Sequence, residues 1–122
     1  MARRLLIAED DAPLRQMLEW EFQDLGYEVT VSGCCSETRT VSQQQHFDVA
    51  LLDYNLPDGL GTDLVAALHD QSPELPIVIY SGRDSACRIK LRSAAIDGIC
   101  LFVAKPIGAR ALHRIFNDLL AS

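Results

Sequence analysis

Five short apolar runs recur along this chain, each followed by a segment with helical spacing, and that alternation limits the folds open to it. Leu5-Leu6-Ile7-Ala8 is the first run. After it, Leu14, Met17, Leu18, Phe22 and Leu25 fall at helical intervals within residues 12–25, with Asp11 at the N-cap position, Pro13 in the first turn and Gly26 after the end. Tyr27 to Val31 reads as a second strand and Cys35 to Gln45 as a weaker second helix. Val49 to Leu52 is a third apolar run that ends at Asp53, and Thr62 to His69 forms the next helix. Pro76 to Tyr80 is a fourth strand, residues 84–95 a helix, Ile99 to Val103 a fifth strand and Ala109 to Leu120 a closing helix. Strands that are apolar throughout belong to a parallel sheet covered on both faces. The expected fold class is therefore α/β, a doubly wound (βα)5 three-layer sandwich. Its ligand site lies beyond the C-terminal ends of the strands.

The bulk properties fit that architecture. The 122 residues are expected to form one domain, 1–122, and 48% hydrophobic residues supply a core without staples. No low-complexity stretch, internal repeat or linker-like run interrupts the chain. The cysteines are Cys34, Cys35, Cys87 and Cys100, and they form no CxxC or zinc-type cluster, so reduced thiols are expected. Arg3-Arg4 is followed by only four apolar residues, too few for a secretory signal or a membrane span, and a cytoplasmic location is expected. The net charge of −6 argues against direct binding of nucleic acid. Charge is nonetheless polarised: residues 1–82 carry 4 Lys/Arg against 14 Asp/Glu, and residues 83–122 carry 7 against 3.

The strand ends hold the candidate chemistry. Glu9-Asp10 closes the first strand, with Asp11 next; Asp53 closes the third, Ser81 the fourth, and Lys105 follows the fifth by two residues. Singly, each has an ordinary reading as a loop acid, a helix cap, a turn serine or a solvated lysine. Together they bring carboxylates, a hydroxyl and an ammonium into one pocket. Crowded carboxylates repel unless a cation intervenes. A hard divalent ion such as Mg²⁺ satisfies them, and Lys105 adds positive charge, which leaves a pocket complementary to phosphate.

Four segments carry a family resemblance that covers essentially the whole chain. They are Leu5-Leu6-Ile7-Ala8-Glu9-Asp10-Asp11; Leu51-Leu52-Asp53-Tyr54-Asn55-Leu56-Pro57 with Gly61; Ile77-Val78-Ile79-Tyr80-Ser81-Gly82; and Phe102-Val103-Ala104-Lys105-Pro106. In this order and spacing the chain resembles the receiver domain of two-component response regulators. The resemblance implies a flavodoxin-like parallel sheet in the order 2-1-3-4-5. It also implies that Asp53 accepts a phosphoryl group from a histidine kinase, a histidine phosphotransfer domain or a small donor such as acetyl phosphate. Asp10 and Asp53 would ligate Mg²⁺ through their side chains, Asn55 through its backbone carbonyl and Glu9 through water. Lys105 would pair with one phosphoryl oxygen and Ser81 would donate to another. Ser81 and Phe102 would then form the switch that remodels the face of the fourth helix, fifth strand and fifth helix. The output would be a change of shape, with no separate substrate turned over.

Some positions depart from the family pattern. Ser81 stands where Thr is more usual and Phe102 where Tyr is commoner, so the switch would be a packing change without a hydroxyl. Ala111 and Ile115 occupy positions that carry a dimer-forming Glu and Arg in winged-helix regulators. Phosphorylation-dependent dimerisation stays open. Arg88 and Arg92, and likewise Arg110 and Arg114, stand four apart on their helices, which suggests a basic surface for an acidic partner or output domain. His46, His69 and His113 are expected in surface or cap roles. The competing reading is an aspartyl-phosphate phosphatase of the haloacid dehalogenase type, but Asn55 stands where that family needs a second acid.

Overall fold

Successive residues of a strand point to opposite faces, so a run that is apolar at every position can only be satisfied by two cores. The computed structural model, which describes residues 2–82, 100–105 and 107–121, has this arrangement. In chain order the elements are β1 (Arg4–Ala8), α1 (Ala12–Asp24), β2 (Glu28–Ser32), α2 (Cys35–Gln44), β3 (Val49–Asp53), β4 (Asn55–Leu56), β5 (Gly59–Leu60), α3 (Gly61–Gln71), β6 (Ile77–Ser81), β7 (Cys100–Ala104) and, as α4 here, Ala109–Ala121. The main sheet has five strands in the order β2-β1-β3-β6-β7, and every pairing in it is parallel. This is the expected 2-1-3-4-5 order once the β4–β5 ribbon is set aside.

Leu6, Ala8, Ala50, Leu52, Ile77 and Ile79 face α2 and α3, meeting Leu64, Val65 and Leu68. Leu5, Ile7, Val49, Leu51, Val78 and Tyr80 face the other way, onto Leu18 and Phe22 of α1 and Leu112 and Phe116 of α4. Phe22 stacks on Phe116 with centroids 5.5 Å apart. At the same end, the Tyr27 hydroxyl and Nδ1 of His113 lie 2.7 Å apart, tying α4 to the start of β2.

Local signals place the helices. The Asp11 carboxylate accepts from the Leu14 N–H at 3.3 Å, the N-cap expected from sequence. Gly26, just past α1, has φ +95°, a conformation that favours glycine and lets the chain reverse into β2. Two boundaries bear on function. Asp53 and Ser81 are the last residues of β3 and β6 and have ladder partners, Asp53 opposite Tyr80 and Ser81 opposite Ala104. The β4–β5 ribbon is an addition to the sequence reading: two-residue strands are too short for periodicity to signal.

Cys34 and Cys35 are free thiols, and burial together with Asp58 pushes the Cys35 thiol up to about 11. His46 lies beyond α2, 3.7 Å from Asp48, and His69 bonds the Leu75 carbonyl at 3.1 Å near the end of α3. No helix among the described residues is long and apolar enough to cross a membrane. The expected helix over 84–95 with Arg88 and Arg92, and the side chain of Phe102, lie outside the described residues.

Candidate functional site

Parallel strands all end at one pole of the sheet, and there the chain collects its acids. The Glu9 N–H extends the ladder by donating to the Ser32 carbonyl at 3.0 Å. Its own carbonyl accepts from Arg15 of α1 at 2.9 Å, so Glu9 is fixed from both sides. Glu9 is fully buried, Asp53 is 6% exposed and Asp10 is open to solvent. Each of the three offers a carboxylate oxygen within 4.8 Å of the others.

Lys105 closes the group. Its N–H donates to the Ser81 carbonyl at 2.8 Å, which anchors the residue after β7 to the end of β6. Its Nζ then bridges Glu9 Oε1 and Asp53 Oδ2, at 3.1 Å each. Asp53 Oδ1 accepts from the Asn55 N–H at 3.1 Å. Glu9 Oε1 also accepts from the Tyr80 hydroxyl at 2.5 Å, and Glu9 Oε2 from the Asp11 N–H at 3.2 Å. The Lys105 ammonium lies 4.5 Å from the centre of the Tyr80 ring.

One glycine in the segment after β3 is demanded by this packing. A Cβ on Gly61 would lie 2.4 Å from the Asp53 carbonyl oxygen, and the Gly61 N–H donates to Tyr54 at 2.7 Å. The start of α3 therefore rests directly on the backbone that carries Asp53.

Burial pushes the Asp53 carboxyl up to about 7, helped by the adjacent Glu9, while the Asn55 N–H and Lys105 pull the other way. Glu9 goes the other direction. Burial raises it, but hydrogen bonds from Asp53, Tyr80, the Asp11 N–H and Lys105 outweigh that and hold it at about 2. The two acids are thus displaced in opposite directions, Asp53 upward and Glu9 downward, because Glu9 has more donors. Burial lowers the Lys105 ammonium, but the two carboxylates overcome it and the net displacement is upward.

Such a site suits a hard divalent cation. Glu9, Asp10 and Asp53 offer only oxygens, their charges are concentrated, and Asp10 is open to water, conditions that fit Mg²⁺ better than a soft metal.

A family model for the response regulator receiver domain matches residues 5–117. The chain belongs to that family. This receiver domain is 34% identical over 121 residues to the TorCAD operon transcriptional regulatory protein TorR of Escherichia coli K12, a match that covers 98% of the chain and 51% of TorR. It spans about half or less of the length of the curated relatives it matches. Among solved structures, a CheY-like receiver domain protein from Methanospirillum hungatei superposes with a TM-score of 0.88 at 25% identity, covering 99% of this chain and 95% of that one. The receiver domain of a sensor histidine kinase from Pseudomonas aeruginosa PAO1 superposes with a TM-score of 0.87 at 22% identity, covering 100% of both chains; it has a magnesium ion coordinated in its active-site cleft.

The receiver domain brings Glu9, Asp10, Asp53, Asn55 and Lys105 to one pole, with Ser81 buried at the end of β6 beside them. Phe102 pairs through its backbone with Ile79 in the adjoining strand. Arg110 and Arg114 are exposed on α4, as is Ala111, while Ile115 is partly buried against the core. Sequence reasoning missed two contacts: Tyr80 on Glu9, and Asp58 on α2. The Cys35 and Ser36 N–H groups donate to the two Asp58 oxygens at 2.6 and 3.0 Å. A turn acid directly after Pro57 was the available signal for the second; no signal marked the first.

Proposed function

We propose that this receiver domain is a phosphoacceptor switch, 1–122 as one domain, that takes its phosphoryl group on Asp53. The observation that carries the reading is the environment of that carboxylate. It is nearly buried, oriented by the Asn55 N–H on one oxygen and Lys105 on the other, and backed by Glu9 and Asp10. Such a side chain is held for in-line attack and has a cation ready for the developing charge.

In the reaction an Asp53 oxygen forms a bond to phosphorus as the P–N bond of a phosphohistidine, or the P–O bond of acetyl phosphate, breaks. The bonding pair leaves with the donor, and Asp53 becomes an acyl phosphate. Attack of water on that phosphorus later restores the carboxylate and releases inorganic phosphate. Lys105 shifts from carboxylate to phosphoryl oxygen, and the Ser81 hydroxyl donates to another. Asp10 and Asp53 side chains and the Asn55 backbone carbonyl would hold Mg²⁺, with Glu9 acting through water; when bound, the ion supplies charge neutralisation. Phe102 would follow Ser81 and alter the face that includes β7 and α4, where Arg110 and Arg114 are exposed; Arg88 and Arg92 of the helix expected over 84–95 would add to that basic surface. The chemistry is done on the chain itself, in the cytoplasm, with a sensor histidine kinase or histidine phosphotransfer domain as donor and an acidic output partner or a second copy as reader.

Mass spectrometry after incubation with acetyl phosphate and Mg²⁺ tests the assignment. The expected result is a gain of one phosphoryl group on the wild-type chain, mapped to Asp53 and absent from Asp53→Ala. Uptake that persists in Asp53→Ala would place the acceptor elsewhere.

A further inference from the structure

Tyr80 is one residue before Ser81 and is 2% exposed. A phenylalanine would fill that volume equally well, so the hydroxyl is what needs a reason: a buried phenol must find a partner. It finds Glu9, at 2.5 Å, on the same Oε1 that accepts from Lys105. We propose that Tyr80 is a positioning residue of the phosphoryl-transfer site, whose hydroxyl holds Glu9 so that Lys105 can leave it for the phosphoryl group.

The argument follows the lysine. As the site stands, the Lys105 ammonium is divided between Glu9 Oε1 and Asp53 Oδ2. To meet a phosphoryl oxygen it must give up part of that pairing. Glu9 is fully buried, and a buried carboxylate stripped of its cation is strongly disfavoured. The Asp11 N–H serves only the other oxygen, Oε2. The Tyr80 hydroxyl is therefore the donor that keeps Oε1 satisfied after Lys105 turns away. Its ring has a separate part: with Nζ 4.5 Å from the centroid, it forms a wall that the ammonium can slide along while it stays attracted. Without the hydroxyl, Lys105 would be the remaining donor to Glu9 Oε1 among the described residues, and Glu9 would hold it back.

The proposal rests on the reading of Asp53 as phosphoacceptor, and the test separates the two. Initial rates of phosphoryl uptake from acetyl phosphate are measured at saturating Mg²⁺ on wild type, Tyr80→Phe, Lys105→Ala and the double variant, each checked for folding by thermal melt. Tyr80→Phe, which keeps the ring, should slow uptake about tenfold, the effect of one hydrogen bond to a charged group. In the Lys105→Ala background the same substitution should change the rate less than about twofold, because the lysine it acts through is gone. A merely structural role would give the same loss in both backgrounds, and that result, or a Tyr80→Phe rate equal to wild type, overturns the proposal alone. A wild-type chain that gains no phosphoryl group overturns the phosphoacceptor reading and with it this inference. Should Tyr80→Phe fail to fold, Tyr80→Met, which also lacks the hydroxyl and adapts to the core, replaces it in both backgrounds: a loss that shrinks below about twofold in Lys105→Ala supports the proposal, and an equal loss in both overturns it.

Discussion

Asp53 and Glu9 share a buried space with one ammonium between them, so the second negative charge is held there at a cost. For Asp53 the sign is clear. Its carboxyl is raised from 3.8 in the unfolded chain to about 7, so the native state holds the proton more tightly. Its contribution to stability is then fully present below about pH 4 and is lost as pH rises through about 7. In metal-free buffer at pH 8, Asp53→Asn should therefore melt a few degrees above wild type, on the order of 1–2 kcal/mol, and the advantage should shrink by pH 5. Thermal melts in EDTA at the two pH values check this, and added Mg²⁺ should narrow the gap at pH 8 by stabilising only the wild type. An Asn variant no more stable than wild type at pH 8 would mean the two acids do not strain the fold. At this scale the sequence was legible where position alone carried meaning: Glu9, Asp10, Asp53 and Lys105 were found because they end strands. Tyr80 was not, since after Ile77-Val78-Ile79 a tyrosine reads as core and its partner Glu9 is 71 residues away.

Among the elements, the short β4–β5 ribbon links β3 to α2 as well as to α3. Asp58, in its turn, places its carboxylate on the N–H groups of Cys35 and Ser36, the first turn of α2, where backbone donors lack helical partners. Those two backbone bonds hold the exposed Asp58 carboxyl below its usual range. A depressed acid stabilises the fold above its unfolded value of 3.8 and loses that contribution as pH falls below it. Asp58→Ala should therefore lower the melting temperature at pH 7 and converge on wild type toward pH 3. Amide exchange of Cys35 and Ser36 should be faster in the variant at pH 7, and exchange rates that do not change would show that water serves these donors equally well. The helices themselves were readable from spacing and caps, to within a residue or two, because Asp11, Pro13 and Gly26 punctuate α1 and the apolar stripe repeats. This clamp was hidden because Asp58 and Cys35 are 23 residues apart and belong to different elements.

For the molecule as a whole, the question is how an event at one pole reaches the face proposed for the output. The sheet gives an uneven answer. β6 and β7 end in groups tied to the site: Ser81 closes β6, its carbonyl accepts from the Lys105 N–H at 2.8 Å, and Lys105 reaches Asp53. On the other side, among the described residues, β2 meets the site through the Ser32 carbonyl, which accepts the Glu9 N–H, and Glu9 is held by Arg15, Tyr80 and the Asp11 N–H whether or not Lys105 moves. Phosphoryl binding should therefore pull on the β6–β7 side and leave the β2 side nearly still. Beryllofluoride with Mg²⁺, a stable stand-in for the phosphoryl group, makes this measurable by hydrogen exchange. Amides at the C-terminal ends of β6 and β7 and in the first turn of α4 should change protection, while those of β2 and the middle of α1 should not. A response spread evenly over all five strands would point to general tightening of the fold and would remove the basis for assigning the output to the face that carries Arg110 and Arg114.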